Sequence, residues 1–148
     1  MELKKINKEA ELLQQLIVDN NNIDGFYGDG KEIPEIPEIP IKHEFADQIY
    51  LRQMTMEQDQ IVIGAIHNHS HVWFLMKGKI TVNDNGEVID HVAPCYMVSE
   101  PGSKRIIYAH EHSIFVNIHK NPSNTRNIKE LEKELVSMNM VEFNKKNN

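Results

Sequence analysis

The chain has 148 residues, 40% of them hydrophobic, which suits one compact domain with a usable core. Its formal net charge of −6 argues against a broad phosphate-backbone footprint, so duplex nucleic acid is not expected as a partner, although a local Lys/Arg pocket for a small anion is compatible with it. The single Cys95 makes no intrachain disulfide, and no leader-like or membrane-length apolar stretch occurs, so the expected protein is soluble and cytoplasmic, with no membrane partner.

Residues 4–20 read as a helix, with Ile6, Ala10, Leu13 and Ile17 at helical spacing and Leu12 and Leu16 widening the stripe. Asn20 to Asn22 and the glycines at 25, 28 and 30 end it. The run from Glu32 to Pro40 places proline at every third position, which fixes φ and favours a polyproline-like connector. The run reads as a stiff spacer laying its isoleucines along a barrel, with a docking motif for a partner as the alternative. Residues 1–43 thus form a helix and linker ahead of a β domain over 44–120.

From about Ile49 short apolar runs alternate with turn signals, the mark of an antiparallel all-β fold. The runs predict strands over 48–56, 60–67, 71–77, 79–83, 87–92, 95–99, 104–109 and 113–119. Gly78 and Asn83-Asp84-Asn85-Gly86 are the clearest turns, the second matching the Asn-Gly hairpin preference. Eight short strands suggest a double-sheet jelly roll. Strand 71–77 is apolar on both faces, so Val72, Phe74 and Met76 need a cover, either a helix or a second subunit. After His119 the strands stop. Asn127 with Glu130 three residues on reads as a helix start, with Ile128, Leu131, Leu135 and Met138 as a narrow apolar stripe. Residues 121–148 are therefore a C-terminal helix with a disordered tail from Asn144.

His67, His69 and His71 fall on alternate residues, so in an extended chain all three rings share a face. Convergent neutral imidazoles suit a divalent metal; the other reading is a polar turn between strands. If His71 faces inward, so do Trp73 and Leu75, and by the same parity His67 lies with Ala65, Ile63 and Ile61. In strand 113–119 the apolar set Ile114, Val116 and Ile118 alternates with Phe115, Asn117 and His119. The usual rule leaves His119 outside, whereas a ligand-holding barrel inverts the parity, and both readings stand. His110 and His112 flank Glu111 in a turn and read as exposed, while His43 and His91 carry no usable pattern. Ser70 and Ser99 lack a nucleophile-elbow context, Cys95 reads as a packed thiol, and no phosphate-binding loop or dinucleotide fingerprint occurs.

The segment from Gly64 to Gly78 resembles the first motif of the cupin superfamily. Counting back from Gly78 puts His71 at the position of the motif glutamate and His67 at that of its second histidine, with Ala65 at the first. Glu100-Pro101-Gly102-Ser103-Lys104-Arg105 resembles the second motif, with Arg105 at its histidine position. The resemblance covers about residues 44–120 and leaves ligating side chains at two of the four ligand positions. Small cupin-like proteins of this pattern, with a similar Pro-Gly-x-Lys-Arg segment, resemble uncharacterised bacteriophage proteins, and the expected location is the host cytoplasm if this chain is phage-encoded. The resemblance implies a jelly-roll barrel that commonly dimerises, and one divalent metal (zinc, iron, nickel or manganese) or none.

Two functions follow. In the preferred one the barrel binds a small anionic metabolite or nucleotide, such as a host signal sequestered by a phage protein. Arg105 supplies a planar fork for carboxylate or phosphate, Trp73 a stacking face, and His67, His69, His71 and His119 further contacts whose donors increase as they protonate. In the alternative, His67 and His71, with His69 or His119, hold a metal in an isomerase, epimerase, dioxygenase or lyase acting on a small metabolite. Fold analogy does not separate them, because such barrels host many functions.

Overall fold

The computed structural model describes residues 39–147. The helix expected over 4–20 and all but the end of the Ile-Pro-Glu run lie outside the described residues. Within them the chain runs β1 (Ile41–Ala46), β2 (Ile49–Met56), β3 (Ile61–Ile63), β4 (Ile66–His67), β5 (His71–Lys77), β6 (Lys79–Asp84), β7 (Glu87–Val92), β8 (Cys95–Ser99), β9 (Arg105–Ala109) and β10 (Ser113–Lys120). It closes with α1 (Ile128–Leu135), the short strand β11 (Val136–Ser137) and α2 (Met140–Asn147).

A five-stranded sheet in the order β1-β2-β10-β5-β8 faces a four-stranded sheet in the order β3-β9-β6-β7. All of their ladders are antiparallel. This is the expected all-β double-sheet jelly roll with flanking helical segments. Met54, Met56, Trp73, Leu75 and Phe115 from the larger sheet meet Val62, Ile80, Val82, Ile107 and Ala109 from the smaller in one core. Two turns show why their residues are needed. Gly78 has φ of 93°, and a Cβ there would stand 2.2 Å from Ser113 Oγ, so only glycine joins β5 to β6. Asn85 and Gly86 take φ of 54° and 90°, the left-handed pair that a tight hairpin between β6 and β7 requires.

Four expectations are corrected. Strand 60–67 is split: Gly64 donates its N–H to the Arg105 carbonyl, the ladder with β9 ends, and β4 leaves to pair with β11. The parity expected through this run therefore breaks, leaving Ile61 half-exposed while Val62, Ile63, Ile66 and His67 are buried. Met138 lies beyond α1 rather than on its stripe. Residues Asn144 to Asn147 are helical rather than disordered. In that last turn Lys146 Nζ donates to the Lys133 and Val136 carbonyl oxygens (2.7 and 2.9 Å), docking α2 on the end of α1. His110 and His112 are half-buried rather than exposed, held by Thr81 Oγ1 and the Glu57 carboxylate.

Candidate functional site

The site assembles at one end of the barrel from side chains on five strands. β10 inverts the ordinary parity: Ser113, Phe115, Asn117 and His119 point inward, and Ile114 and Ile118 face outward. The register explains the convergence. Asn117 lies opposite Trp73 on β5 and opposite Arg52 on β2, so its side chain enters the space above the core beside those of β5. His71 points in with Trp73 and Leu75, as its parity requires. His67 is carried in by β4, whose N–H donates to the Ser103 carbonyl and whose carbonyl accepts from Gly102 N–H, tying the strand to the loop before Arg105.

Arg105 occupies the centre and is 3% exposed. Its Nη1 donates to Ser99 Oγ at 2.8 Å and lies 3.2 Å from His71 Nε2. Its Nη2 donates to Asn117 Oδ1 at 2.9 Å and lies 3.2 Å from His67 Nε2. The guanidinium carbon also sits 5.4 Å from the Phe115 ring centre and 6.0 Å from that of Trp73, both close enough for cation–π attraction. All four of its hydrogen-bonding partners among the described residues are neutral. Burial lowers the Arg105 pKa to about 10, with Asp84 opposing that shift and Arg52 adding to it, so the group stays cationic at neutral pH. Asp84 acts only at a distance, its two oxygens accepting from Ser103 Oγ.

The imidazoles are held neutral. His67 is pushed well below 6.5 by burial and then by Arg105. His71 is lowered to about 4 by burial and then by Arg105, and His119 to about 2 by burial and then by His71 and Arg105. The expected gain of donors by protonation therefore does not operate near neutrality. Arginine only donates, so the His67 Nε2 it approaches must be unprotonated, which places the ring's proton on Nδ1. That Nδ1 is buried without a hydrogen-bond partner. His71 Nε2 faces both a donor, Arg105 Nη1, and an acceptor, Asn117 Oδ1 at 3.1 Å, while its Nδ1 is likewise buried and unpartnered.

A cavity of about 340 Å³ opens onto this cluster. Met54, Val62, Ile107 and Phe115 form an apolar wall, and His67, Arg105, Asn117 and His119 the polar end. Tyr50 and Arg52 line its side, and Lys129, Glu132 and Lys133 of α1 line the mouth. Burial raises the Tyr50 hydroxyl to about 12, and that hydroxyl pairs with His43 Nδ1 at 2.7 Å. His69 stands apart, in a surface depression with Lys120 and Glu134. Trp73 is buried in the core beneath Arg105 and lines a different pocket, with Asp84 and His91. Asn117 and Ser99 are the contacts that sequence reading did not single out as ligands. The alternation of Asn117 with Phe115 and His119 is the signal that locates it, once that face is known to turn inward.

By position, His67, His71 and His119 are the cluster among the described residues that could hold a metal, with ligand atoms within 4.8 Å of one another. By charge and protonation they do not fit one while Arg105 stays. The His67 Nε2 lone pair is turned to the guanidinium, its Nδ1 carries the proton, and no carboxylate joins the set. A divalent ion about 4 Å from a fixed unit charge meets repulsion of about 8 kcal/mol at an effective dielectric of about 20. That is a large share of the roughly 10–16 kcal/mol that structural zinc sites supply.

No family model matches the sequence, and neither does any curated protein. Solved structures do resemble it. A structure described as an ethanolamine utilization protein Q from Salmonella typhimurium LT2 is 14% identical, covering 66% of this chain and 80% of its own, with a TM-score of 0.52. An HTH_3 family transcriptional regulator from Vibrio cholerae is 13% identical, covering 64% of this chain and 57% of its own, with a TM-score of 0.52. A cupin superfamily protein from Desulfitobacterium hafniense is 10% identical, covering 55% of this chain and 76% of its own, with a TM-score of 0.49. At these identities the likeness is one of fold alone, and the two structures at a TM-score of 0.52 agree with the double-sheet jelly roll of the strand order. No helix among the described residues is long and apolar enough to cross a membrane.

Proposed function

We propose that this chain is a cupin-like binding protein whose cavity captures a small anion with an apolar body, a short carboxylate being the best match. The observation that supports the reading is Arg105, a buried cation whose hydrogen-bond partners among the described residues are all neutral, at the end of a cavity with one apolar wall. Buried charges are normally paired, because desolvating an unpaired one is costly. An anion entering beside Arg105 supplies the missing charge and a charge-assisted hydrogen bond, while its apolar part covers Met54, Val62, Ile107 and Phe115. At about 340 Å³ the cavity lies near the small end of ligand sites, which favours a small metabolite over a whole nucleotide. A phage-borne role in withdrawing a host signal is compatible with such capture when the signal is of that size. The metal-dependent enzyme remains the second reading, supported by the proximity of the three histidines and opposed by the guanidinium among them.

Calorimetric titration of the unmodified chain with two- to six-carbon monocarboxylates and with inorganic phosphate tests this, alongside mass spectrometry of co-purified small molecules. Two variants sharpen it. Arg105→Lys keeps a charge but loses the fork, and should weaken carboxylate binding by about thirtyfold, or roughly 2 kcal/mol. Asn117→Asp places a carboxylate on the guanidinium, satisfying it from within, and should abolish binding without lowering the melting temperature. His112→Ala, which loses a surface contact with the Glu57 carboxylate away from the cavity, should change nothing. Equal affinity in the wild type and both site variants would discard the anion reading.

A further inference from the structure

The same centre has a property that does not depend on which anion it takes. Four neutral polar atoms from four strands converge on one cation: His67 Nε2, His71 Nε2, Asn117 Oδ1 and Ser99 Oγ, at 2.8 to 3.2 Å from the Arg105 terminal nitrogens. These are hydrogen-bond lengths, well beyond the roughly 2.0–2.1 Å of a zinc–imidazole bond. The arrangement is nonetheless that of a coordination sphere, with polar atoms directed inward at a positive charge and an aromatic ring, Phe115, behind it.

We propose that Arg105 is the resident cation of this barrel: its guanidinium holds the position that a divalent ion would need, and the His67/His71/His119 cluster takes up metal only when that guanidinium is removed. Three observations carry the inference. The Nε2 lone pair of His67 faces Arg105 and His71 Nε2 lies 3.2 Å from it, so a metal and the guanidinium compete for the same positions. The cluster contains no carboxylate to offset a second cation beside the first. Arg105 is fully enclosed, with a hydrogen bond or a ring contact to Ser99, Asn117, Trp73 and Phe115, so it cannot swing away without breaking several contacts. Replacing it with an uncharged side chain leaves the His67 and His71 Nε2 atoms facing vacated space next to His119.

Cobalt(II) titration of the full chain, prepared without a histidine tag, tests this directly. Ligand-field absorbance reports the metal, and zinc(II) competition against a chromophoric chelator gives affinity. The wild type should show no uptake that depends on His119. Arg105→Met, which keeps the length of the stem, should bind one cobalt per chain at least about a hundredfold more tightly than the wild type, and the added His119→Ala change should remove that gain. Arg105→Lys, which retains a cation, should stay metal-free. Stoichiometric uptake by the wild type that disappears in His119→Ala would overturn the proposal. So would an Arg105→Met variant that keeps its near-ultraviolet circular dichroism and binds no metal. If Arg105→Met does not fold, the wild-type and His119→Ala arms still decide. A carboxylate titration that fails leaves this result untouched, since the metal arms contain no anion ligand.

Discussion

At the scale of single residues, the energetics of the site rest on keeping three imidazoles uncharged around one guanidinium. The consequence for stability has a definite sign. Between pH 6.5 and about 4 the unfolded chain protonates His71 while the folded chain does not, and for His119 the window extends down to about 2. The unfolded state binds more protons there, so stability is full above 6.5 and falls as pH falls. Each such histidine accounts for roughly 2 kcal/mol between pH 6.5 and pH 5. Urea denaturation should therefore give a clearly lower midpoint at pH 5 than at pH 7, and His119→Phe should show a smaller drop. Equal midpoints at the two pH values would contradict neutral burial. Ligand affinity should behave differently. Arg105 carries the charge and stays protonated across this range, so carboxylate binding should be flat from pH 6 to pH 8.

At the scale of elements, the barrel strands were readable because each couples an apolar face to a turn whose backbone demands particular residues. Gly78 and Asn85-Gly86 fixed the hairpins, and apart from the split run over 60–67 the strands between Ile49 and Lys120 lie where the periodicity puts them. The elements that escaped are those whose stability is not written in their own pattern. β1 carries Lys42, His43 and Glu44 on an edge, where charge prevents further pairing and hides the strand from an apolar count. β11 is two residues long and exists because β4 lacks another partner. α2 is polar, and it is organised by Lys146 on the carbonyl oxygens of Lys133 in α1 and Val136 in β11, thirteen and ten residues before it in the chain. For the site, the motif spacing brought His67, His71 and Arg105 together correctly. It did not reveal that Arg105 lies against both rings, or that β10 turns its polar face inward, because both depend on contacts between strands distant in sequence. The start of α1 is different, since its cap is local. Asn127 Oδ1 accepts from the N–H groups of Lys129 and Glu130 at 3.1 and 3.3 Å, and Thr125 rather than the cap occupies the Glu130 carboxylate. Asn127→Ala should lower stability by about 1 kcal/mol. Faster amide exchange confined to α1, which borders the cavity mouth, would locate the effect; unchanged exchange there would show the cap to be dispensable.

At the scale of the whole molecule, the two edges of the larger sheet differ in kind. The β1 edge is charged and discourages pairing. The opposite edge, β8, presents Tyr96 at 68%, Met97 at 39% and Val98 at 58% exposure, and Met76 of the adjoining β5 is 61% exposed. Val72 and Phe74 continue that surface from β5, with Phe74 and Tyr96 in ring contact at 5.6 Å. An edge strand with free backbone groups and an apolar outer face is a ready template for another chain, and contiguous exposed apolar surface is uncommon on monomers. The sequence left a helix or a second subunit to cover Val72, Phe74 and Met76; neither helix of the described residues packs along β5, and a second copy of this chain is the occupant that light scattering tests. The charged β1 edge directs that pairing to β8. Light scattering at micromolar concentration should give twice the chain mass of 17.2 kDa. Tyr96→Glu, combined with Val98→Lys, should shift the mass to that of one chain while leaving the β signature in circular dichroism intact. Both side chains point away from the barrel core, so the double variant should also bind carboxylate as the parent does. A wild-type mass of one chain, or a double variant that still pairs, would place the contact elsewhere or remove it.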